Sequence, residues 1–288
     1  MLFKEIPGNT LIKKQLISTI KNSRVSHAQL FFGNRGNAKL ALAFAYARYL
    51  NCDSRSDDDS CGKCSSCIKY NTLSHPDLHL IFPVLKLAGA KVAVSDNFVP
   101  IWRDFILNNI YGSLNSWIDT FSIENKIGQK GTIYKDEAVS IQKKLALKSF
   151  EASYRVFLIW MPEQMNKEAS SKLLKTFEEP PSGTVFLLIS ENPNILLPTI
   201  TSRLQKLQIN DFCVNDIISF FKKHNLDAER AKKLRNISDA DLGKMIKLLK
   251  ENFEEDDLFD SFSSWMRYVY KIDIANISKL VDIISSKG

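Results

Sequence analysis

The sequence contains no long apolar run. No stretch reaches the roughly 18 apolar residues that a membrane-spanning helix requires, which excludes a membrane-embedded class and a membrane partner. The first residues, Met1 to Gly8, hold no apolar core of signal-peptide length, so we expect a cytoplasmic protein. Internal repeats and low-complexity tracts are also absent, which argues against a repeat architecture.

The overall composition is that of an ordinary folded protein. A length of 288 residues predicts two or three domains, with 44% hydrophobic and 25% charged residues. The net charge of +7 weakly favours polyanionic partners such as nucleic acid. A basic surface that only keeps the protein soluble accounts for this charge equally well.

A strand, a glycine-containing loop and a helix follow one another near the N-terminus. The apolar run Leu30 to Phe32 stops at Gly33, a turn-rich loop with Gly36 follows, and an alanine-rich helix is predicted from Leu40 to Leu50. This succession is the layout of a phosphate-binding loop, in which backbone N–H groups surround a phosphate.

This loop lacks two of the four fixed residues of the motif G-x-x-x-x-G-K-[ST]. Gly33 and Lys39 are in place, but Ala38 replaces the second glycine and Leu40 replaces the Ser/Thr. The glycine lets the backbone close around phosphate, and the hydroxyl binds magnesium. We therefore expect a nucleotide-binding architecture that does not bind ATP and magnesium productively.

A second loss lies at the end of a predicted buried strand, Val156 to Trp160. In a working P-loop ATPase, acidic residues at such a strand end hold magnesium and orient the attacking water. Here Trp160 and Met161 stand in that place, with Glu163 beyond them. Neither Trp nor Met can bind magnesium or orient water. The loop and the strand end therefore both indicate that ATP hydrolysis has been lost.

The remaining pattern predicts a mostly parallel five-stranded sheet with helices on both faces. Further strands are predicted at Asp77 to Phe82, Thr184 to Ser190 and Leu204 to Ile209. Helices are predicted at Thr10 to Lys21 with Asn9 or Thr10 as the cap, Lys135 to Leu147, Met165 to Phe177, Val214 to His224, Asp227 to Arg235 and Asp239 to Lys250. The predicted domains are an α/β domain over 1–210, a small helical lid over 211–250 and a short helical segment over 251–288.

Four of the five cysteines form a cluster that predicts a metal site. Cys52 is followed by the C-x-x-C-x-x-C run Cys61, Cys64 and Cys67. Four thiolates within a polar loop can bind structural zinc, because four protein ligands leave no open position for catalysis. An iron–sulfur cluster is the alternative, although its fourth cysteine usually lies downstream. We expect Cys213 to be a packed thiol, and His75 and His79 to have structural or surface roles.

Several motifs together resemble the delta-prime subunits of the bacterial DNA polymerase III clamp loader, which are AAA+ proteins related to the gamma/tau subunits. These motifs are Ser26-His27-Ala28, the cysteine spacing over 52–67, His75-Pro76-Asp77-Leu78, the helix end Leu173 to Pro181 and Thr199-Ile200-Thr201-Ser202-Arg203. The resemblance implies an AAA+ fold with an inserted zinc module. Two departures are a long insert near 84–130 and a short C-terminal segment where the family has a helical collar.

The resemblance also implies a function. Ser202 and Arg203 match the pair that projects an arginine finger into the ATP site of a neighbouring subunit, although Leu204 replaces the usual cysteine. The implied role is a subunit that does not hydrolyse ATP by itself within a DNA polymerase holoenzyme. Its implied partners are gamma/tau-type and delta subunits and, through the complex, the sliding clamp and primed DNA. Alternatives are an active gamma/tau-type ATPase and a zinc-stabilised nucleic-acid-binding module.

Overall fold

The structure is a computed structural model that describes residues 1–86, 92–121, 130–223, 226–250, 263, 265–274, 276–279 and 281. Contacts divide the chain into two compact units, Met1–Met245 and Ile246–Gly288. In the second unit, residues 265–270 and 276–279 are helical. Residues 251–262 of the predicted C-terminal segment, and residues 87–91 and 122–129 of the predicted insert, lie outside the described residues.

A five-stranded parallel sheet lies at the centre of the first unit, which confirms the predicted fold class. Its strands are β1 (Ala28–Phe32), β2 (Leu78–Ile81), β3 (Arg155–Trp160), β4 (Thr184–Ser190) and β5 (Gln205–Gln208). Their order across the sheet is β2-β3-β4-β1-β5, and every neighbouring pair is parallel. Strands β3 and β4 are buried along their whole length, as continuous apolar runs predict for a sheet covered on both faces.

Helices connect the strands and continue beyond them. They are α1 (Thr10–Lys21), α2 (Lys39–Leu50), α3 (Ser65–Asn71), α4 (Val99–Asn108), α5 (Leu114–Ile118), α6 (Lys135–Leu145), α7 (Lys167–Glu178), α8 (Pro198–Thr201), α9 (Val214–Lys222), α10 (Ala228–Ser238) and α11 (Leu242–Lys250). Helix α2 is buried at every residue, because its alternating alanines allow close approach. Among the described residues, no helix is both long and apolar enough to cross a membrane.

The structure corrects three local predictions. Asn9 occupies the N-cap position of α1 in a left-handed conformation, but its side chain makes no capping hydrogen bond. Helix α11 begins at Leu242 and not at Asp239, because Asp239 ends α10 in the left-handed region. Cys213 is exposed and not packed, and its sulfur accepts the Asp216 N–H at 3.4 Å at the start of α9.

Candidate functional site

The glycine loop between β1 and α2 is filled by one of its own side chains. The Asn37 amide donates to the Ile209 carbonyl at 2.9 Å, and its oxygen accepts the Lys39 backbone N–H at 3.0 Å. That N–H is one of the donors that a phosphate at a helix N-terminus would use. Gly36 has a φ of +71°, which a residue without a Cβ adopts readily.

Lys39 is buried and bonded within the protein. Its ammonium donates to the Asn34 carbonyl at 2.7 Å and lies 3.8 Å from a Glu191 carboxylate oxygen, with the side chain only 5% exposed. Burial lowers the pKa of Lys39 and raises the pKa of Glu191, because both charged forms lose solvation. Lys39 is thus held by partners within the protein and is not solvated.

A carboxylate that the sequence analysis missed lies against the same loop. The Asp241 side chain occupies the position that a Cβ on Gly36 would need, and it pairs with the Arg35 guanidinium at 3.2 Å. The next N–H, that of Leu242, donates to the Gly36 carbonyl at 3.3 Å. A phosphate here would meet a like charge. The only sequence signal for Asp241 is its place just before a helix.

The end of β3 is apolar, as the sequence predicts. Trp160 is buried and lies 6.1 Å from the ring of Trp102 and 6.4 Å from that of Phe105. Met161 has a left-handed φ of +54°, which is uncommon for a residue with a side chain. The Glu163 carboxylate accepts the backbone N–H of Glu191 at 2.8 Å and thereby holds the loop after β4.

Arg203 lies on the turn between α8 and β5. Its guanidinium donates to the Thr199 carbonyl at 2.6 Å and pairs with Glu178 at 3.1 Å, while its side chain remains 31% exposed. The Ser202 hydroxyl donates to the same carbonyl at 3.3 Å. The Ser202–Arg203 pair therefore stands at the surface, beside the end of α7.

The structure does not bring Arg203 together with Lys39. In the parallel register Gln29 pairs with Gln205, so Arg203 lies beyond the amino end of the strands, at about the level of residue 27. Gly33 and the loop follow the carboxyl end of β1. The level of residue 27 and that of Gly33 are six residues apart. At about 3.3 Å per residue, they are separated by about 20 Å along the strands.

The predicted metal ligands do come together. Sulfur atoms of Cys52, Cys61, Cys64 and Cys67 all lie within 4.8 Å of one another, with 3.9 Å between those of Cys61 and Cys67. A tetrahedron with bonds of about 2.3 Å has edges of about 3.8 Å, so the four thiols can bind a metal such as zinc. The polar segment between the first two ligands contains no helix or strand.

Backbone N–H groups support the sulfur atoms of this cluster. The N–H groups of Cys61, Cys64 and Cys67 donate to the sulfurs of Cys52, Cys61 and Cys64 at 3.2, 3.3 and 3.4 Å. Donors of this kind, at Lys63 and Cys64, lower the pKa of the Cys61 thiol to about 6, while burial raises that of Cys52 to about 12. A bound cation would favour the thiolate form throughout.

Neither nearby histidine belongs to the cysteine cluster. His75 is buried beside Tyr70, with ring centroids 4.9 Å apart, and its Nδ1 accepts the Asp77 N–H at 3.1 Å. His79 lies against Phe157, with ring centroids 4.6 Å apart and ring planes tilted by 35°, and burial lowers its pKa to about 4. Both rings pack against an aromatic side chain, and their structural or surface roles stay a prediction.

Comparisons with known proteins agree with these motifs. A family model described as DNA polymerase III, delta subunit, matches residues 8–212. The delta-prime subunit of Bacillus subtilis is 28% identical over 68% of this chain and 46% of its own length, and that of Yersinia pestis is 29% identical over 66% and 43%. The tau subunit of Bacillus subtilis is 25% identical over 79% of this chain and 32% of its own length.

Solved structures give more distant similarities. A gamma-subunit-related protein from Thermotoga maritima is 15% identical with a TM-score of 0.40, over 93% of this chain and 77% of that one. The chain spans less than half the length of the curated relatives named above. The family model nevertheless covers well over half of this chain. The chain therefore belongs to the DNA polymerase III delta-subunit family, and its resemblance to the delta-prime clamp-loader subunits is confirmed.

Proposed function

We propose that the chain is a non-hydrolysing subunit of the DNA polymerase III clamp loader. It supplies Arg203 to the ATP site of a neighbouring gamma/tau-type subunit, and Ser202 holds the turn that presents this arginine. Delta, the sliding clamp and primed DNA are its further partners within the complex. The proposed domains are an AAA+ domain over 1–210, a lid over 211–250 and a partial or reduced collar over 251–288.

One observation carries this proposal. Arg203 lies at the amino end of the sheet, about 20 Å along the strands from the glycine loop at the carboxyl end. An arginine side chain is far too short to cross that distance, so a nucleotide-binding loop that Arg203 serves must be that of another chain. A guanidinium suits the task because it is always charged and its planar fork matches phosphate oxygens.

The glycine loop supports the non-hydrolysing part of the proposal. Lys39 is bonded to Asn34 and Glu191, and Asp241 places a negative charge against Gly36. The end of β3 offers Trp160 in place of a carboxylate. Each of these features acts against a bound nucleotide and its magnesium, although Lys39 itself is retained.

The test is ATP turnover by the assembled clamp loader on primed DNA. Arg203→Ala should lower kcat by at least about a hundredfold at the site it serves, because arginine fingers act on transition-state charge. Arg203→Lys should recover little, since an ammonium lacks the planar fork. Arg230→Ala, at an exposed position on α10, is the matched control. Unchanged kcat in Arg203→Ala, with the complex intact, would refute the finger.

An active gamma/tau-type ATPase is the second candidate, favoured by the retained Lys39 and by the similarity to a tau subunit. It predicts ATP turnover by the isolated chain, lost in Lys39→Ala. The first proposal predicts that the isolated chain has no turnover and that Lys39→Ala leaves the assembled complex at full rate. One pair of measurements thus separates the two candidates.

Structural zinc in the cysteine cluster completes the proposal. Four thiols leave no open position, and Asp59 in the same loop accepts the N–H groups of Phe3 and Lys4 at 3.1 and 3.0 Å. The loop thereby anchors the N-terminal segment. Its Asp57 pairs with Lys21 at 2.7 Å, and such an acidic surface does not favour a nucleic-acid-binding module.

A further inference from the structure

We infer that residues 92–121, here called the insert segment, form an internal brace that fixes the helices after β5 to the carboxyl end of the sheet. The brace concerns the folded chain alone, so its test does not depend on the role of Arg203.

The first attachment of the insert segment is an aromatic stack at the sheet. Trp102 on α4 is fully buried and stacks on Phe82, just beyond β2, with ring centroids 4.6 Å apart and ring planes 2° from parallel. The same indole lies 6.2 Å from Phe44 on α2 and 6.1 Å from Trp160 at the end of β3. Aromatic pairs of this kind stabilise a fold beyond the burial of their area.

Helix α5 fixes the other side of the stack. Trp117 is buried, lies edge-on to Phe82 at 5.4 Å, and donates its indole N–H to the Pro83 carbonyl at 2.7 Å. Phe105 fills the space between Trp117 and Trp160, at 5.5 and 6.4 Å. The insert segment is therefore part of the core at this end of the sheet and not a loose loop.

The second attachment of the insert segment is Tyr111, which reaches the helices after β5. Its ring packs edge-on to Phe212 at 5.8 Å and to Phe220 on α9 at 6.4 Å. Its carbonyl lies where a Cβ on Gly243 would be, so α11 approaches the insert segment as closely as a glycine allows. Burial raises the pKa of Tyr111, consistent with a ring enclosed by these elements.

The glycine loop holds the same helices at a separate point. Asp241 and Leu242, at the start of α11, contact Gly36 and Arg35, whereas Tyr111 contacts Phe212, α9 and Gly243. The contacts of Asp241 with Gly36 and of Tyr111 with Gly243 adjoin each other at the start of α11, while the Tyr111 ring also contacts Phe212 and Phe220. The orientation of α9 and the start of α11 is thus fixed by the protein alone.

Hydrogen exchange of backbone amides in the full chain tests the brace. Tyr111→Ala should accelerate exchange in residues 214–222 and 242–245 by about tenfold or more, because local opening then needs less free energy. Exchange in β1 and β4 should stay unchanged. Tyr111→Phe, which keeps the ring, should exchange as the natural protein does.

A core control separates local opening from general destabilisation. Ile141→Ala, in the core between α6 and the sheet, should not accelerate residues 214–222 and 242–245 more than it accelerates β1 and β4. Equal acceleration of all elements in Tyr111→Ala, or no acceleration of α9, would overturn the inference. If Tyr111→Ala does not fold, Gly243→Ala tests a second contact of the brace, because the added Cβ would push α11 away from the Tyr111 backbone carbonyl. Faster exchange in residues 242–245 than in β1 and β4 is then expected.

Discussion

Lys39 lies 3.8 Å from Glu191, and its ammonium donates to the Asn34 carbonyl of its own loop. The residue that would bind phosphate is thus already bonded within the protein. Repair of the motif alone should therefore fail. We expect the double variant Ala38→Gly, Leu40→Thr to bind ATP and magnesium no more tightly than the natural chain, as measured by calorimetry.

A further obstacle in that variant, beside the contacts of Lys39, is the Asp241 carboxylate, which can be removed without touching the motif. Adding Asp241→Ala removes the negative charge beside Gly36 and Arg35, so nucleotide affinity should rise only in the triple variant. Micromolar binding by the double variant would show that the loop residues, and not their partners, exclude nucleotide.

The cysteine cluster predicts about one metal ion per chain. Cys67→Ser should lose the metal and lower the melting temperature, because the segment between Cys52 and Cys61 contains no helix or strand to hold it. Cys213→Ser, which removes an exposed thiol outside the cluster, should retain both. Elemental analysis measures the metal content, and thermal unfolding measures the melting temperature. Freshly purified protein without metal would contradict the metal site.

Asp77 predicts a pH-dependent contribution to stability. Burial alone would raise its pKa, but the N–H groups of Glu151, Phe150 and Ala152, at 2.9, 2.7 and 2.9 Å, bring the pKa below the ordinary 3.8. A carboxyl with a lowered folded-state pKa stabilises above its unfolded-state pKa, and this stabilisation is lost as pH falls through the folded-state value. Asp77→Asn should cost about 2 kcal/mol at pH 7.

The measurement is urea unfolding of both proteins between pH 7 and pH 3. The difference in the free energy of unfolding should be constant down to the ordinary carboxyl range and should shrink below it. Asp58→Asn, in the exposed acidic loop, should show no such trend. If the difference in the free energy of unfolding stays constant to the lowest pH, the destabilisation in Asp77→Asn comes from the shape of the side chain and not from its charge.

Arg203 should matter little to the stability of the isolated chain. Its ion pair with Glu178 is partly exposed on both sides, and pairs of this kind contribute at most about 1 kcal/mol. Arg203→Ala and Glu178→Gln should therefore unfold in urea within about 1 kcal/mol of the natural protein. A larger loss in Arg203→Ala would make its effect on ATP turnover a consequence of unfolding.

The sequence is sufficient to predict the sheet and most helices because their signals are local. Strand β4 and helix α1 have the predicted bounds, Thr184–Ser190 and Thr10–Lys21, since one is a continuous apolar run and the other a clear amphipathic period. The cysteine spacing likewise predicts the cluster, because its ligands lie within a short stretch.

Contacts between distant segments could not be predicted in the same way. Nothing in the spacing of Tyr111 indicates that its carbonyl faces Gly243, or that Asp241 lies against Gly36. Burial of Lys39 also depends on Glu191, more than 150 residues further along the chain. Cys213 is exposed because it caps α9, whereas the sequence pattern indicates only that a cysteine is usually packed.

Arg203 and the glycine loop lie at opposite ends of the strands, so two different surfaces of the chain carry them. On the proposed function, such subunits would assemble head to tail, each offering its guanidinium to the next, as in any heterologous interface. A subunit that supplies an arginine but binds no nucleotide would then be expected at one end of the row, beside the first working site.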